Sequence, residues 1–465
     1  MVGGGTGCVK GSLRPSALDP ARPSSAGRLW ATGEEAGLRE KKHRGRRYAV
    51  PMQDRELYKQ ILGIQSPWRV EDVDLDTAKR EVLVWLGTSE QQLPCPECGA
   101  SCPRHDARQR RWRHLDTCQF QTTLCADVPR VRCEEHGVRQ IKVPWAEPGS
   151  GFSALFEALV ISWLREASVS AVARLFDLSW NSVAGIRRRA VERGLARREQ
   201  QLPKHLGVDE TSFQKRHEYV TTLIDQAEGT VVHVADGRKR ETLDEFFRRF
   251  SREEREQVES VAMDMWQGYI VSVEEHIPDA ERKIVFDKFH VAQHLCNAVD
   301  QVRRAENRTL VAAGDETLKR SRYVWLQNPE NMSWESRDRL ESLRSSSLKT
   351  ARAWAIKEFA ATLWRYRSRA WARKAWERWY SWAIRSRLEP IKKVARMIKR
   401  HLEGIVNAVV SGITNARAEG INSRIQWIKK TACGYRNRDT FREAIYFHLG
   451  GLDLYPDGVV QSHTT

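Results

Sequence analysis

Residues 206–238, "LGVDETSFQKRHEYVTTLIDQAEGTVVHVADGR", decide the fold of the carboxyl-terminal half of this chain. Three β-rich runs, "LGVDET", "YVTTLID" and "GTVVHVAD", are joined by polar turns at the spacing of β-hairpins. The helical "ETLDEFFRRF" follows, and then come two more strand-like runs, "VESVAMDMWQGY" and "RKIVFDKFH". This order predicts a mixed sheet in which three strands stop at an acid, namely Asp209, Asp264 and Asp287.

Acids repeated at strand ends favour a metal site, because ligands bind in the crevice that strand ends border. Cleaving a phosphodiester bond requires an activated nucleophile and a stabilised leaving oxygen, and two divalent ions about 4 Å apart supply both. Mg²⁺ prefers oxygen ligands, so carboxylates are the right residue type. Glu210, beside Asp209, points to the opposite face if the strand continues, which makes it the poorer ligand.

The composition indicates a folded protein with a polyanionic partner. Of 465 residues, 41% are apolar and 29% are charged, which argues against global disorder. Lys and Arg outnumber Asp and Glu by 77 to 60, and the resulting charge of +17 favours nucleic acid over a membrane surface as the partner. No run approaches the roughly 18 apolar residues of a membrane helix and no signal peptide opens the chain, so we expect an intracellular protein.

The first 51 residues differ in composition from the rest of the chain. They are rich in Gly, Ser, Pro and Arg without a sustained period, which is typical of disorder. Met52 begins "MQDRELYKQILGI" and resembles a natural start, so we interpret residues 1–51 as a disordered or mis-called extension; a targeting or DNA-gripping arm is the alternative. The following "VEDVDLDTAKREVLVWLG" predicts a small hairpin.

Two pairs of metal-ligand residues predict a zinc site. Cys95 and Cys98 form one pair and Cys133 and His136 the other, each with two intervening residues, and 34 residues separate the pairs. Zinc takes four such ligands in a tetrahedron, and a tight "CPECG" turn presents two sulfurs at once. The competing ligands are Cys102, Cys118 and Cys125, and the alternative is that the cysteines are buried apolar side chains. Several arginines surround the ligands and are candidate contacts to DNA phosphates: Arg108, Arg110, Arg111, Arg113, Arg130, Arg132 and Arg139.

Residues 151–200 have helical periodicity. The stretch "SVSAVARLFDLSWNSVAGIRRRAV" predicts a helix, a short turn and a second helix that carries Arg187, Arg188 and Arg189. This pattern favours a helix-turn-helix whose second helix enters a DNA major groove. A helical hairpin with a solvated basic face is the alternative.

A third acidic ligand is expected from the stretch "SGITNARAEGINSRIQWIKKTACGYRNRDTFREAIYFHL". Glu419 lies there in a polar helix start, with Asn415 before it and Asn422 after it. His290 and His294 are four residues apart and could share a helix face. We predict that they pack or form hydrogen bonds; zinc ligation, or ordering of the scissile phosphate by His290, are the alternatives.

A basic, tryptophan-rich insertion is predicted between Asp264 and Glu419. Within residues 349–401 there are 16 Lys and Arg and 3 Asp and Glu, which accounts for more than two-thirds of the excess charge of the chain. We predict that the basic residues face DNA, with Trp371, Arg373 and Lys374 as candidate contacts. For the tryptophans as a group, packing within a helical subdomain is favoured over contact with bases. The group comprises Trp354, Trp364, Trp371, Trp376, Trp379 and Trp382.

The ordered motifs "GVDET", "VAMDMWQGY", "IVFDKFHVAQHL" and "SGITNARAEGINSRIQWIKKTACGYRN", behind the cysteine ribbon and the helix-turn-helix, resemble the ISL3 family of bacterial insertion-sequence transposases. The resemblance covers roughly residues 52–452. It implies a DDE enzyme with a ribonuclease H-like catalytic domain, in which Asp209, Asp264 and Glu419 are the catalytic acids and bind two Mg²⁺ or Mn²⁺ ions. Asp287, His290 and Asn415 are auxiliary candidates.

We therefore predict a multidomain α/β protein, a zinc ribbon plus helix-turn-helix followed by a ribonuclease H-like mixed-sheet domain with a helical insertion. The predicted segments are 1–51 extension, 52–148 hairpin and zinc ribbon, 151–200 helix-turn-helix, 203–299 catalytic first part, 300–405 insertion, 406–452 catalytic last part and 453–465 flexible tail.

The expected function is DNA transposition, in which terminal inverted repeats are bound and strands are cut and transferred to target DNA. The family implies a homo-oligomer on paired ends in a bacterial cytoplasm, associated with the nucleoid and not with a membrane. A transposase-derived regulator and a structure-specific nuclease without joining activity are the alternatives.

Overall fold

The computed structural model describes residues 54–214, 218–346, 348–413 and 416–459. The predicted extension 1–51 and the auxiliary candidate Asn415 lie outside the described residues. Among the helices of the described ranges, none has the length and apolar character needed to cross a bilayer.

The amino-terminal part is a six-stranded sheet behind one short helix. Its elements are α1 (Asp54–Ile61), β1 (Arg69–Asp76), β2 (Glu81–Gly87), β3 (Gln92–Pro94), β4 (Ser101–Arg113), β5 (Gln121–Cys133) and β6 (Gly137–Gln140). The predicted hairpin is confirmed, because β1 and β2 pair antiparallel. The strand order is β1-β2-β5-β4-β3, with β6 on β5. Trp145 packs edge-on against Trp68 and Trp112, with ring centroids 4.8 and 5.5 Å away, and holds the sheet to the chain that leads out of it.

Three helices follow, α2 (Ala154–Glu166), α3 (Val169–Leu175) and α4 (Trp180–Arg197), and α3 and α4 form the predicted helix-turn-helix. Each helix begins after a serine whose hydroxyl accepts a hydrogen bond from a backbone N–H of the first turn, namely Ser153, Ser168 and Ser179. Glu157 on α2 is only 1% exposed and accepts hydrogen bonds from Ser150 at 2.7 Å and Arg189 at 3.1 Å. This buried carboxylate therefore ties α2 to α4 and to the segment that arrives from the ribbon.

The second sheet contains β7 (His205–Gln214), β8 (Glu218–Asp225), β9 (Thr230–Asp236), β10 (Ser260–Met263) and β11 (Ile284–Phe286). The order is β11-β10-β7-β8-β9; β7, β8 and β9 are antiparallel, and β10 is parallel to both β7 and β11. The mixed sheet is confirmed. The prediction that the first strand stops at Asp209 is wrong, because pairing with β8 carries β7 on to Gln214.

Helices cover both faces of this sheet. They comprise α5 (Arg240–Phe247), α6 (Arg252–Glu256), α7 (Gln267–His276) and α8 (Ala280–Lys283), with α16 (Ala416–Thr431) and α17 (Arg438–Leu449) from the end of the chain. Alternate strand residues point to opposite faces, so Leu206 and Val208 share one core with α5 and α7. Phe213, Val220 and Val231 share the other core with α16, α17 and the helix-turn-helix.

The helical region between the sheet and α16 consists of α9 (Lys288–Ala312), α10 (Arg322–Leu326), α11 (Trp334–Arg344), α12 (Lys349–Thr362), α13 (Arg369–Ile384), α14 (Glu389–Arg400) and α15 (Leu402–Ser411), with 3-10 turns at Pro329–Asn331 and Leu363–Arg365. It begins at Lys288, because α9 runs without a break through the predicted boundary at residue 300. Gly404 of α15 lies against the ring of Phe286, where a Cβ would clash, so α15 packs closely on β11.

The tryptophans of this region divide into two groups. Trp354, Trp376 and Trp379 are buried, as the packing interpretation expects. Trp371 is 62% exposed, so the packing interpretation is wrong for this residue, whereas Trp382 is 39% exposed and packs on Phe359, with ring centroids 6.0 Å apart.

The prediction that residues 453–465 form a flexible tail is wrong for residues 453–455. Leu454 is fully buried in the core shared with the helix-turn-helix. Arg197 of α4 donates to the carbonyl of Tyr455 at 2.7 Å and pairs with Asp453 at 2.8 Å. The chain is therefore anchored to α4 at this point, while residues 460–465 lie outside the described ranges.

Candidate active site and metal centre

The ribbon brings the four predicted zinc ligands together. The ligand atoms of Cys95, Cys98, Cys133 and His136 all lie within 4.8 Å of one another. Cys98 Sγ is 3.7 Å from Cys133 Sγ, which is 3.6 Å from His136 Nδ1, and Nδ1 is 4.0 Å from Cys95 Sγ. A tetrahedron with zinc–sulfur bonds of about 2.3 Å has edges of about 3.8 Å, so the residues fit a zinc ion.

Local backbone structure and protonation agree with this fit. The Cys95 carbonyl accepts from Gly99 N–H at 2.9 Å, which closes the tight turn that presents both sulfurs. Hydrogen bonds from the backbone and then from the side chain of His136 lower the pKa of Cys133 to about 6, and zinc binds the thiolate. Burial raises the pKa of the nearby Cys102 to about 11, which keeps it a thiol.

The remaining competitors differ in environment. Cys125 is fully buried in β5 and Cys118 is exposed, and neither belongs to the converging group. In the described part of the chain, that group is the one set of three or more potential ligands whose atoms lie so close together, so the acids discussed next are spread more widely.

Four acids come from four different elements and meet at one edge of the second sheet. Asp209 lies in the middle of β7, Asp264 follows β10, Asp287 follows β11 and Glu419 lies in the first turn of α16. Burial, with a further contribution from the charge of Asp264, raises the pKa of Asp209 to about 7. This arrangement concentrates carboxylates that a cation would stabilise in the ionised form.

The second half of this cluster is formed by Asp287 and Glu419. Asp287 is buried, its Oδ1 caps α9 by accepting from Phe289 N–H at 3.3 Å, and its Oδ2 has no hydrogen-bond partner within the described residues. Burial raises the pKa of Glu419, and the negative charge of Asp287 raises it further. The auxiliary candidate Asp287 is therefore next to Glu419.

His290, on the first turn of α9, faces the same cluster. Its Nε2 lies 2.6 Å from Asp264 Oδ1. Burial alone would lower the pKa of His290, but the adjacent Asp264 carboxylate outweighs burial and raises it. His290 and Asp264 form an ion pair, but Asp264 Oδ1 has no hydrogen bond of suitable geometry, so hydrogen bonding by His290 stays a prediction; His290 and His294 belong to no converging ligand group in the described ranges.

Three side chains fix α16 on β7; the sequence analysis named one of them, Asn422, without this role, and missed the other two. Asn422 donates to the carbonyl of Glu210 at 3.4 Å, Gln426 to the hydroxyl of Thr211 at 3.2 Å and Lys429 to the carbonyl of Ser212 at 2.8 Å. β10 pairs with β7 only as far as Gly207, so β7 has no strand partner on that side beyond Gly207, and α16 contacts residues 210–212 there. We name Asn422, Gln426 and Lys429 the register ladder.

A signal for the register ladder was present in the sequence. Glu419 and the three ladder residues follow one another at spacings of three, four and three, which places them on one helix face. The buried Ile421, Ile425 and Ile428 lie beside that face. The spacing could have shown a shared polar face, but not that β7 lies opposite it.

Three of the predicted DNA-contacting arginines in the amino-terminal half, Arg113, Arg187 and Arg189, are engaged within the protein. Arg187 is only 3% exposed, lies 3.8 Å from Glu443 and donates to the carbonyl of Thr440 at 3.4 Å, because its face of α4 packs on α17. Arg189 pairs with the buried Glu157. Of the three neighbours, Arg188 is the exposed one, so predicting Arg187 as a DNA contact is wrong.

Arg113 is likewise a structural residue, and its prediction as a DNA contact is wrong. It donates to the carbonyl of His114 at 2.7 Å, pairs with Asp116 and lies over the ring of Phe156, 5.1 Å from its centroid. The guanidinium therefore joins the end of β4 to α2.

The predicted contacts in the helical region lie on α13. Trp371 is exposed, with the Lys374 ammonium 5.5 Å from its ring centroid. Arg373 pairs with Glu403 of α15, and its side chain remains half exposed. Trp371 and Lys374 thus form an exposed basic and aromatic surface.

Comparison with known proteins gives matches along most of the chain. Residues 206–445 match a family model described as transposase, residues 141–191 the helix-turn-helix domain of transposase family ISL3, and residues 91–136 the zinc-finger of transposase IS204/IS1001/IS1096/IS1165.

Two curated relatives illustrate the similarity. The transposase for insertion sequence element IS1001 of Bordetella parapertussis is 28% identical over 396 residues, which cover 84% of this chain and 97% of the relative. The transposase for insertion sequence element IS1557 of Mycobacterium tuberculosis is 28% identical over 422 residues, which cover 83% of this chain and 93% of the relative.

Proposed function

This chain belongs to the ISL3 family of transposases, and we propose that it cleaves the ends of an insertion sequence and transfers the freed strands to target DNA. The observation that carries the proposal is the convergence of Asp209, Asp264 and Glu419 from two strands and a helix. We propose these three as the catalytic acids of a DDE site.

The sheet supports a ribonuclease H-like catalytic domain. In chain order its five strands lie third, second, first, fourth, fifth, with the first three antiparallel and the last two parallel to the first. This topology puts the middle of β7 and the end of β10 side by side, because β10 pairs with β7 only up to Gly207. Asp209 and Asp264 then face one crevice, which is where ligands of such sheets bind.

The residues present fit divalent cations. Carboxylate oxygens are the ligands of Mg²⁺, and the raised pKa values of Asp209 and Glu419 reflect buried carboxylates whose ionised forms a cation would stabilise. Two ions need carboxylates around each of them, so the acids of a two-ion site lie further apart than the ligands of a single ion. The wider spacing of these acids agrees with the assignment. Asp209, Asp264 and Glu419 would hold Mg²⁺ or Mn²⁺, which activates the attacking oxygen and stabilises the leaving oxygen.

The chain itself supplies orientation. His290 holds the Asp264 carboxylate at 2.6 Å, and Asp287 lies against Glu419, so both are proposed positioning residues. The register ladder holds the helix of Glu419 against the strand of Asp209. Water or a 3'-hydroxyl then attacks in line with the leaving oxygen, without a covalent protein intermediate.

We further propose that the ribbon, with its zinc ion, and α4 read the terminal inverted repeats. The amino-terminal end of a recognition helix contacts base edges. On α4 that end carries the exposed Trp180 and Asn181, with the exposed Arg188 two turns further on. The basic surface with Trp371 and Lys374 is proposed to contact the DNA backbone, and the family implies an oligomer on paired ends.

The test is Mg²⁺-dependent cleavage and strand joining on a duplex that carries the end sequence of the element. Glu419→Gln and Asp264→Asn are expected to bind this duplex normally and to lose both cleavage and joining. The matched control is Glu274→Gln, on the exposed face of α7. Tight binding without cleavage by the native protein would support a regulator, and cleavage without joining would support a nuclease.

A further inference from the structure

A stacked guanidinium lies at the rim of the acidic cluster. Arg238 is in the loop between β9 and α5, and its guanidinium lies between the rings of Tyr219 and Trp266, 4.9 and 4.7 Å from their centroids. The Trp266 indole N–H also donates to the Arg238 carbonyl at 3.1 Å. We name Tyr219, Arg238 and Trp266 the stacked triad.

The backbone around the stacked triad is built to hold it. Gly237 adopts a φ of +81°, donates to the carbonyl of Tyr219 at 2.8 Å and accepts from the hydroxyl of Thr221 at 2.6 Å. A Cβ on Gly268 would lie 3.0 Å from the Trp266 indole nitrogen, so this glycine makes room for the ring. The guanidinium is therefore oriented before any ligand arrives, and little side-chain freedom remains to be lost on binding.

The triad is adjacent to the proposed catalytic acids. Trp266 follows Asp264 by two residues. An Arg238 nitrogen lies 3.7 Å from a Glu210 carboxylate oxygen, and Glu210 is the neighbour of Asp209. The triad lines a concavity of about 520 Å³, together with Lys239, Arg240 and Glu241. Because Trp266 and Glu210 connect the triad to the acids, a strand whose reacting phosphate lies at the acids can reach this concavity.

Arg238 has donors to offer in that concavity. Its side chain is 43% exposed, and the long contact with Glu210 engages one side of a group that carries five N–H donors. The next arginine, Arg240, is instead paired with Asp244 at 3.3 Å and with Glu275. A planar guanidinium matches the oxygens of a phosphate in a bidentate manner, whereas an ammonium acts as a point charge.

We propose that Arg238, held by Tyr219 and Trp266, binds a backbone phosphate of the DNA strand beside the scissile phosphate and positions that strand for attack. This inference rests on the proposed function, since it assumes a DNA strand at the acids. It adds a positioning residue that lies in a loop outside the acidic motifs.

The experiment is a cycle between protein and DNA. Cleavage is measured on end duplexes that each carry one uncharged methylphosphonate near the scissile bond, with the native protein, Arg238→Ala, Arg238→Lys and Lys239→Ala. Lys239 is the matched control, because it is an exposed cation of the same loop without the two rings. Arg238→Ala is expected to slow cleavage of unmodified DNA about tenfold, with Arg238→Lys recovering part of the loss and Lys239→Ala near native.

One methylphosphonate position is expected to slow the native protein by a similar factor and to leave Arg238→Ala unaffected. Equal slowing of both proteins at every position, or an equal defect in Lys239→Ala, would overturn the assignment of Arg238. If the native protein cleaves none of the duplexes, the proposed function fails. The same combinations of protein variant and methylphosphonate are then compared by equilibrium binding. If the losses of binding free energy from Arg238→Ala and from each methylphosphonate are additive, this inference is overturned separately.

Discussion

Lys429 offers a direct test of whether the register ladder positions Glu419. Its ammonium donates to the Ser212 carbonyl at 2.8 Å, and Lys429→Met removes this bond while keeping most of the alkyl stem. Hydrogen bonds that involve a charged group contribute about 1.5–3 kcal/mol, and the partial exposure of Lys429 favours the lower end of that range. The expected loss in the free energy of unfolding is therefore about 1.5 kcal/mol.

The effect on catalysis follows from helix geometry. Lys429 lies ten residues after Glu419, about 15 Å along the axis, so it fixes the axial position of the helix at a distance from the reacting atoms. A displacement of one residue is about 1.5 Å, and misplacements of about 1 Å can cost a factor of about 100 in rate. We expect loss of the Lys429 bond to allow such a displacement of α16. If this raises the activation free energy by about 1.4 kcal/mol, kcat falls tenfold, while KM stays unchanged.

Single-turnover cleavage of a saturating end duplex, together with urea unfolding, measures both quantities. Lys430→Met is the matched control, because it removes the same charge from the exposed neighbour on the same helix. Lys429→Arg, which can still donate to Ser212, should recover most of the rate. The reasoning is refuted if Lys429→Met loses stability but cleaves at the native rate, or if Lys430→Met is equally slow.

Three further predictions concern the metals and the buried carboxylate. Metal analysis is expected to find one zinc ion per native chain, which His136→Ala should lose and the exposed His105→Ala should retain. In the metal-free protein the pKa of Asp209 is raised from 3.8 to about 7, so ionising Asp209 lowers the stability of the fold as pH rises from 3.8 to 7. Because Mg²⁺ would bind the ionised carboxylate, it should raise the melting temperature more at one pH unit above 7 than at one unit below. An equal rise at both pH values would contradict this assignment. Glu157→Gln should lower the free energy of unfolding by about 3 kcal/mol in a urea titration, because Arg189 loses the buried carboxylate that it pairs with, while Arg193 keeps Glu147; the exposed Glu166→Gln should be near native.

The stacked triad and the register ladder both contact Glu210 of β7. Arg238 reaches the side chain of Glu210, and Asn422 reaches the carbonyl of that residue. Glu210 therefore lies between the two devices, which gives a structural role to the acid that alternation along β7 makes the poorer metal ligand. Of the two adjacent acids, Asp209 thus belongs to the acidic cluster, and Glu210 links β7 to the stacked triad and the register ladder.

Local patterns in the sequence were sufficient for the elements whose causes are local. The hairpin spacing predicted β7, β8 and β9, the apolar period predicted the helix-turn-helix, and the two ligand pairs predicted the cluster at His136. In each case the residues that determine the structure are close in sequence or are constrained by ligand chemistry. The ordered motifs predicted the family.

Only the tertiary structure decided how far a strand extends and which face of a helix is covered. Asp209 lies in the middle of β7 because the partner β8 is long and β10 is short, and strand pairing depends on both neighbours. Arg187 is buried because α17, more than 240 residues later, covers its face of α4; the basic triplet reads the same whether or not a partner is present. Charge and periodicity determine what a segment can form, but burial is a property of the surfaces that meet, and those are brought together only by the complete fold.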